Sequence, residues 1–103
     1  MSRIEKIIQM MAEGGKDSFL QHALALEYIK IGKDADAQEQ FTQLLAENSA
    51  YVGSYYHLGK LLERAGQIET AVETYEKGML EAKKAGDQHA YNELMGARDE
   101  LVD

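Results

Sequence analysis

Three histidines, His22, His57 and His89, are the side chains most able to form a metal centre in a chain that has no cysteine. A zinc or nickel site needs three or four ligands at fixed geometry. No two of these histidines are three or four residues apart, the spacing that would place two ligands on one helix face. No cofactor or metal is therefore expected, and a histidine-based metal site is a remote alternative to contact with a peptide or with solvent.

Lys60 and Arg64 form the second suggestive pair. Because four residues separate them, both side chains fall on one face of a helix and could contact one acidic group together. The alternative is that they pair with Glu63 or with other surface acids, since exposed ion pairs are common and energetically small. The sequence favours this second interpretation.

Motifs for catalysis are missing from the sequence. It contains no glycine-rich phosphate loop, no G-x-S-x-G nucleophile turn and no H-E-x-x-H motif. Its many carboxylates fall on polar helix faces, where a solvated role is the ordinary one. We therefore expect a protein that is not an enzyme and keep an enzyme as a remote alternative.

Composition limits the partners. The 103 residues carry 18 acidic against 11 basic side chains, a net charge of -7, which disfavours binding to a phosphate backbone. The apolar stretch in residues 2–13 is too short and too interrupted for a signal peptide or a membrane span. We expect a cytoplasmic protein that binds neither nucleic acid nor a membrane.

The predicted helices that carry these candidate residues belong to a sequence repeat with a period of 34 residues. Residues 18–51 align without a gap on residues 52–85. In each unit, apolar residues recur three and four apart on both sides of an internal glycine, Gly32 or Gly66, which predicts two amphipathic helices joined by a tight turn. The matched pairs are Leu24 with Leu58, Ala25 with Gly59, Tyr28 with Leu62, Gly32 with Gly66, Ala37 with Ala71, Phe41 with Tyr75 and Leu44 with Gly78.

Polar residues predict where the helices begin and end. Ser2 with Glu5 and Ser18 with Gln21 have the spacing of a capping box. Asp34 or Asp36 would begin the second helix of the first unit, and Asn48 or Ser49 would cap the first helix of the second unit. Lys83 and Lys84 suit the last turn of the fourth helix.

Two further helices flank the repeats. Residues 2–13 have the pattern of the second helix of a repeat, and residues 87–102 carry apolar residues at helical spacing but out of the 34-residue register. We expect them to be an N-terminal half-repeat helix and a C-terminal capping helix. The prediction is an all-α fold of about six helices, an antiparallel helix-pair solenoid that forms a single domain over residues 1–103.

The spacing in residues 52–85 resembles the tetratricopeptide repeat. The residues that carry the resemblance are Tyr55, Leu58, Gly59, Leu62, Gly66, Ala71, Tyr75 and Gly78. The first unit departs from the pattern at Gln21 and Ala25, and Ser49 and Lys83 stand where the family often has proline. The resemblance implies a stack of helix pairs whose first helices line a concave groove that holds a peptide or a partner helix.

On this resemblance the protein is a non-catalytic adaptor or scaffold that binds a protein or peptide of unknown identity. The asparagines of the family's carboxylate-gripping members are absent from the matching positions, so that specificity is not transferred. The inner helix positions give the candidate contact residues, which are His22, Leu26, Tyr56, His57, Lys60, Arg64 and Tyr91.

Self-association is the alternative function. The N-terminal helix has Ile4, Ile7, Ile8 and Met11 spread around it, and one neighbouring helix need not cover all four. This arrangement predicts a homodimer formed through the terminal helices.

Gly59 lies in the interior of a helix, where glycine costs about 1 kcal/mol relative to alanine. The repeat alignment places it opposite Ala71 of the following helix, where a missing side chain would let two backbones approach. We therefore expect Gly59 to be a packing residue and not part of a binding site.

Overall fold

The structure, a computed structural model, describes residues 1–15 and 17–102. Within these ranges the chain forms six α-helices and no strand, which confirms the predicted all-α fold with two helix pairs and two flanking helices. The helices are α1 (Arg3–Gly14), α2 (Ser18–Lys30), α3 (Asp34–Glu47), α4 (Gly53–Arg64), α5 (Ile68–Ala85) and α6 (Gln88–Asp99). The chain divides into two compact units, Met1–Asn48 and Ser49–Asp103. A single domain over residues 1–103 therefore stays a prediction.

Unit 1 contains α1, α2 and α3, and α2 packs against both of the others. Arg3 of α1 and Lys30 of α2 lie 3.2 Å and 3.0 Å from the Glu27 carboxylate. The hydrogen bond from Lys30, together with Arg3, lowers the pKa of Glu27. The buried apolar residues of this unit are Ile7, Leu24, Ala25, Ala37, Phe41 and Leu44.

The buried Gln21 shows how unit 1 accommodates a departure from the repeat pattern. Gln21 is 2% exposed and occupies the position equivalent to Tyr55. Its amide nitrogen donates to Oε1 of Gln40 at 3.3 Å, which satisfies a polar group that would otherwise be costly to bury.

Unit 2 contains α4, α5 and α6, each of which packs against the other two. In α6 the buried residues are Leu94 and Ala97, which follow Gly59 and Leu62 by 35 residues instead of 34. The predicted change of register is therefore one residue, and α6 covers the apolar face of the α4–α5 pair. The other buried apolar residues of the unit are Tyr55, Leu58, Leu61, Leu62, Ala71, Tyr75, Met79 and Ala82.

The N-terminus of α2 differs from the prediction. Asp17, and not Ser18, is the N-cap, and its Oδ1 accepts hydrogen bonds from the amides of Phe19 at 2.8 Å and Leu20 at 3.2 Å. The Ser18 hydroxyl instead accepts a bond from the side-chain amide of Asn48 at 3.0 Å. The carboxylate lies one residue earlier and reaches two free amides, so it takes the capping role.

The predicted caps of α4 are wrong for a related reason. The N-cap is Val52, which has helical dihedral angles and no side-chain capping bond. Asn48 is engaged with Ser18, and the carbonyl of Ser49 accepts the Tyr55 hydroxyl at 2.6 Å. These polar groups tie the loop to the helices instead of capping α4.

Several other predictions about helix ends are confirmed. Ser2 and Glu5 form a reciprocal capping box at α1, and Lys83 and Lys84 lie in the last turn of α5. The glycines of the two internal turns are left-handed, with φ of 78° at Gly32 and 79° at Gly66. Each turn reverses the chain within three residues, which makes α2–α3 and α4–α5 antiparallel pairs.

Gly59 faces α5, as predicted, but its neighbour is Tyr75 and not Ala71. A Cβ atom on Gly59 would lie 2.1 Å from Cε1 of the Tyr75 ring. Gly78 of α5 has the reciprocal role, since its Cβ would lie 2.6 Å from Cβ of Tyr55. The alignment of Gly59 with Ala71 suggested that two backbones approach each other here. The space beside Gly59 is instead filled by the ring of Tyr75.

Candidate functional site

The predicted contact residues of unit 2 are carried by α4. Tyr55, Leu58 and Leu62 bury one side of this helix in the core. The 3.6-residue period then turns the intervening positions away from the core. We call this set the α4 surface, and it comprises Tyr56, His57, Lys60 and Arg64.

Tyr56 is the centre of the α4 surface. Its half-buried ring lies 6.4 Å from the ring of Tyr75 on α5 and 5.8 Å, edge-on, from the ring of His57. The ammonium of Lys60 lies 5.5 Å from the Tyr56 centroid, within cation–π range. Three neighbours therefore fix the orientation of Tyr56 while part of its ring stays accessible.

Tyr75 is held from its other end by Glu63. The Tyr75 hydroxyl donates to Oε2 of Glu63, and the Lys60 ammonium lies 3.5 Å from the same oxygen. Burial, together with the Glu63 carboxylate, raises the pKa of the Tyr75 phenol, so it stays protonated as the donor. The pairing of Lys60 with Glu63 is the one that the sequence favoured, and Arg64 lies exposed in the last turn of α4.

His57 is half-buried, and this burial lowers the pKa of its imidazole. The negative charge of Glu93 on α6 acts in the opposite, weaker sense. His57 is therefore predominantly uncharged at neutral pH and presents a neutral donor and acceptor beside Tyr56.

The equivalent positions in unit 1 are His22 and Leu26 of α2. The ring of His22 lies 5.4 Å, edge-on, from that of Phe41 on α3. His22 and Phe41 align with Tyr56 and Tyr75, so each repeat holds a half-buried ring of its first helix against an aromatic residue of its second. Leu26 is half-buried and stands where α4 has Lys60.

Tyr91 of α6 lies in different surroundings. The ammonium of Lys83 on α5 is 5.9 Å from its ring centroid. Tyr91 lines two cavities, one at the end of α5 and the start of α6 and one farther along the same two helices, and neither is lined by a residue of α4. The participation of Tyr91 in a groove with Tyr56 stays a prediction.

Residues 1–15 and 17–102 contain neither a candidate metal centre nor a candidate membrane span. No cluster there brings together three or more histidine or carboxylate side chains in an arrangement that could hold a metal ion. None of the helices in this part of the chain combines the length and the apolar character needed to cross a membrane. The cytoplasmic location stays a prediction.

Comparison with known proteins identifies the fold family. No family model matches the chain. The crystal structure of a tetratricopeptide repeat domain protein from Salinibacter ruber is 38% identical, with a TM-score of 0.80, and the match covers 82% of this chain and 96% of that one. The chain belongs to the tetratricopeptide repeat family.

Two further comparisons agree with this fold. A TPR repeat-containing protein of Pseudomonas aeruginosa is 28% identical over 91 residues, which cover 88% of this chain and 87% of that protein. The solution structure of a protein from Bordetella parapertussis has a TM-score of 0.84 at 24% identity, over 99% of this chain and 89% of that one, and it supports the fold alone. Tetratricopeptide repeats are in general non-catalytic interaction modules, so the fold supports a protein-interaction role with protein partners.

Two residues that contact the predicted binding residues of this tetratricopeptide repeat chain, Tyr75 and Lys83, were not predicted to do so. Tyr75 was assigned to the core, yet its ring also orients Tyr56, and the alignment of Tyr75 with Phe41 was the available signal. Lys83 was assigned to the helix dipole alone. Its contact with Tyr91 depends on the one-residue change of register in α6, which the 34-residue period does not predict.

Proposed function

We propose that this protein is a non-catalytic adaptor that binds a peptide or a helix of a partner protein on the α4 surface. The observation that carries the proposal is the fixed, half-buried ring of Tyr56, with Tyr75 on one side and the Lys60 ammonium 5.5 Å from its centroid. Tyrosine is among the side chains that most often dominate the binding energy of interfaces. A ring that is already held loses less side-chain entropy when a partner binds.

The charge state of the α4 surface limits the partner. Lys60 is half-buried and compensated by Glu63, and His57 is predominantly neutral. The surface therefore offers an aromatic ring and a neutral imidazole instead of a dense positive charge. Such a surface suits an amphipathic helix or a peptide with apolar anchors and few acidic groups.

His22 and Leu26 of unit 1 are proposed as separate contact points. They repeat the ring geometry of α4, because His22 is held by Phe41, but they replace the charge of Lys60 with the apolar side chain of Leu26. On this proposal, α2 contributes apolar contact where α4 contributes polar contact.

The proposal is tested by screening the protein against a peptide array and comparing it with the double variant Tyr56→Ala, Lys60→Ala. We expect the array signals to weaken about tenfold, since truncating central aromatic anchors typically costs more than 1 kcal/mol. Lys77→Ala, at an exposed position on α5, is the matched control and should bind as the unmodified protein does. Thermal melting of each variant separates lost binding from lost folding, and unchanged binding by a folded double variant would reject the α4 surface.

A further inference from the structure

Four residues of unit 2 form a closed ring of contacts around the Glu63 carboxylate. The Tyr75 hydroxyl donates a hydrogen bond to Oε2 of Glu63, and the Lys60 ammonium lies 3.5 Å from the same oxygen. The Tyr56 ring joins the other two ends, since its centroid lies 6.4 Å from that of Tyr75 and 5.5 Å from the Lys60 ammonium. We call Tyr56, Lys60, Glu63 and Tyr75 the Glu63 cluster.

The Glu63 cluster is partly buried and carries no net charge. The side chain of Glu63 is 23% exposed and that of Lys60 is 33% exposed, so solvent screens this pair less than it screens a pair on an open surface. The Tyr75 phenol stays protonated. The positive charge of Lys60 is therefore balanced inside the cluster and not by a partner.

Unit 1 shows that the repeat can be built without this cluster. The positions 34 residues earlier hold His22, Leu26, Ile29 and Phe41. None of these side chains is a carboxylate, an ammonium or a phenol, and Leu26 and Ile29 are half-buried as their counterparts in unit 2 are. Apolar residues often replace a partly buried ion pair without loss of stability. The helix pair does not need the polar groups of the cluster, which points to a role in recognition.

Carboxylates are in the majority near the Glu63 cluster. Glu93 on α6 and Glu100 beyond its end act electrostatically on rings of the α4 surface and of the cluster. Together with Glu63 they outnumber the two cations of α4, Lys60 and Arg64. An acidic group of a partner would be repelled here, whereas an uncharged segment could pack on the accessible aromatic ring and leave the cluster intact.

We propose that Glu63 is the specificity-determining residue of the α4 surface, which holds Lys60 and Tyr75 in place so that the surface binds uncharged peptide segments and rejects acidic ones. Glu63 acts through its neighbours and is a positioning residue. Removal of its charge, with a hydrogen-bond acceptor kept for Tyr75, would release the Lys60 ammonium to pair with an acidic side chain. This inference rests on the proposed function, because it concerns which partners the α4 surface accepts.

The electrostatic part is tested without a partner, by the acylation of lysine side chains. N-hydroxysuccinimidyl acetate is uncharged, its sulfonated form is anionic, and both transfer the same acetyl group. Mass spectrometry of proteolytic peptides gives the ratio of the two rates at Lys60, in which the exposure and basicity of the amine cancel. Glu63→Gln should raise the ratio of the anionic to the uncharged reagent about threefold, as expected for the loss of one partly exposed ion pair. The ratio at Lys77 should not change.

Glu73→Gln is the matched control, because it removes one negative charge at an exposed position of α5. It should leave the ratio at Lys60 as it is in the unmodified protein. Thermal melting checks that each variant is folded, and we expect Glu63→Gln to fold because its amide oxygen can still accept the Tyr75 hydroxyl.

The selectivity itself is tested with the peptides that bind on the array. Each position of these peptides is changed in turn to Glu and to Gln, and the ratio of the Gln signal to the Glu signal is the acid penalty. The largest penalty should be about fivefold in the unmodified protein and in Glu73→Gln, and it should fall below about twofold in Glu63→Gln. It should also fall in the unmodified protein as sodium chloride is raised, since salt screens the repulsion.

The double variant Lys60→Leu, Glu63→Ile carries the residues of unit 1 and separates the release of Lys60 from the loss of Glu63. It should keep the acid penalty, because no cation is left to attract an acidic side chain. This variant and the salt dependence decide the question even where Glu63→Gln does not fold.

Two results would overturn the role of Glu63 alone. One is the same acylation ratio at Lys60 in the unmodified protein and in Glu63→Gln. The other is the same acid penalty in both proteins, or a penalty that does not depend on salt, while peptides still bind. An array on which no peptide binds would instead reject the proposed function, and the selectivity with it.

Discussion

At the scale of single residues, two helical glycines have opposite surroundings. A Cβ atom on Gly59 would lie 2.1 Å from the Tyr75 ring, whereas nothing lies within 4 Å of the position that a Cβ on Gly96 would take. The Tyr75 ring cannot move aside easily, because it is fully buried, faces Tyr56 and donates its hydroxyl to Glu63. The same substitution should therefore have opposite effects at the two sites.

Gly59→Ala should destabilise the protein by about 1 to 3 kcal/mol, because the cost of overpacking exceeds the helix propensity that alanine gains. Gly96→Ala should stabilise it by about 0.5 to 1 kcal/mol, since only the propensity changes. Chemical denaturation of both variants measures the two free energies of unfolding. Equal stability of Gly59→Ala and the unmodified protein would mean that Tyr75 does not fill the space at Gly59.

His57 predicts a dependence of stability on pH. Because burial holds the pKa of His57 below its ordinary value of 6.5, the unfolded chain binds a proton more readily than the folded protein does. The stability that this residue contributes is present above pH 6.5 and is lost as the pH falls from 6.5 to the pKa of the folded state. Thermal melting between pH 7.5 and 5.5 should show this fall in Tm.

The variant His57→Gln isolates this contribution. Its Tm should fall less than that of the unmodified protein over the same range, where most carboxylates stay ionised. His89→Gln, at an exposed position of α6, should follow the unmodified protein. Identical pH profiles for all three proteins would show that His57 is not desolvated in the fold.

At the scale of the elements, the start of α2 depends on Asp17. This carboxylate accepts two backbone amides of the first turn, whereas Lys33 at the same position of α3 makes no side-chain capping bond. Asp17→Ala should lower the free energy of unfolding by about 1 kcal/mol, and Lys33→Ala should change it by less than about 0.5 kcal/mol. Denaturant titrations compare the two, and a larger loss from Lys33→Ala would contradict the assignment of the cap.

The elements themselves could be predicted from the sequence because their apolar residues repeat with two consistent periods, one of about 3.6 residues and one of 34. The helix caps were less predictable, since several polar residues precede each helix and only tertiary contacts decide among them. Asn48 was predicted to cap α4, yet it is the C-cap of α3, and its side-chain amide binds Ser18, which is 30 residues away. Such a contact has no local sequence signal.

For the candidate site, the sequence predicted which residues share the surface of α4 but not the surroundings of Tyr91. The resemblance to the tetratricopeptide repeat placed Tyr56, His57 and Lys60 on one surface of α4, and pairing of Lys60 with Glu63 was part of the favoured alternative because exposed ion pairs are common. The surroundings of Tyr91 were not predictable, because they depend on the one-residue change of register in α6. The Lys83–Tyr91 contact follows from packing of α6 and not from the repeat.

At the scale of the whole molecule, each unit contains one repeat with a half-buried ring at the same position, but the flanking chemistry differs. Leu26 of unit 1 is apolar where unit 2 has Lys60. Self-association also stays a prediction. In α1, Ile7 is 3% exposed and packed, while Ile8 is 46% exposed and available to a second copy.

Site-specific photo-crosslinking shows whether a protein partner contacts the α4 surface. A photoreactive phenylalanine derivative would replace Tyr56 in one protein and Lys77, on the exposed side of α5, in another. Both proteins would be irradiated in the native cell. We expect a discrete crosslinked partner from position 56 that is absent from position 77 and that diminishes when Lys60→Ala is added. The same product from both positions, or a partner that co-purifies but never crosslinks at position 56, would show that the α4 surface is not the binding site.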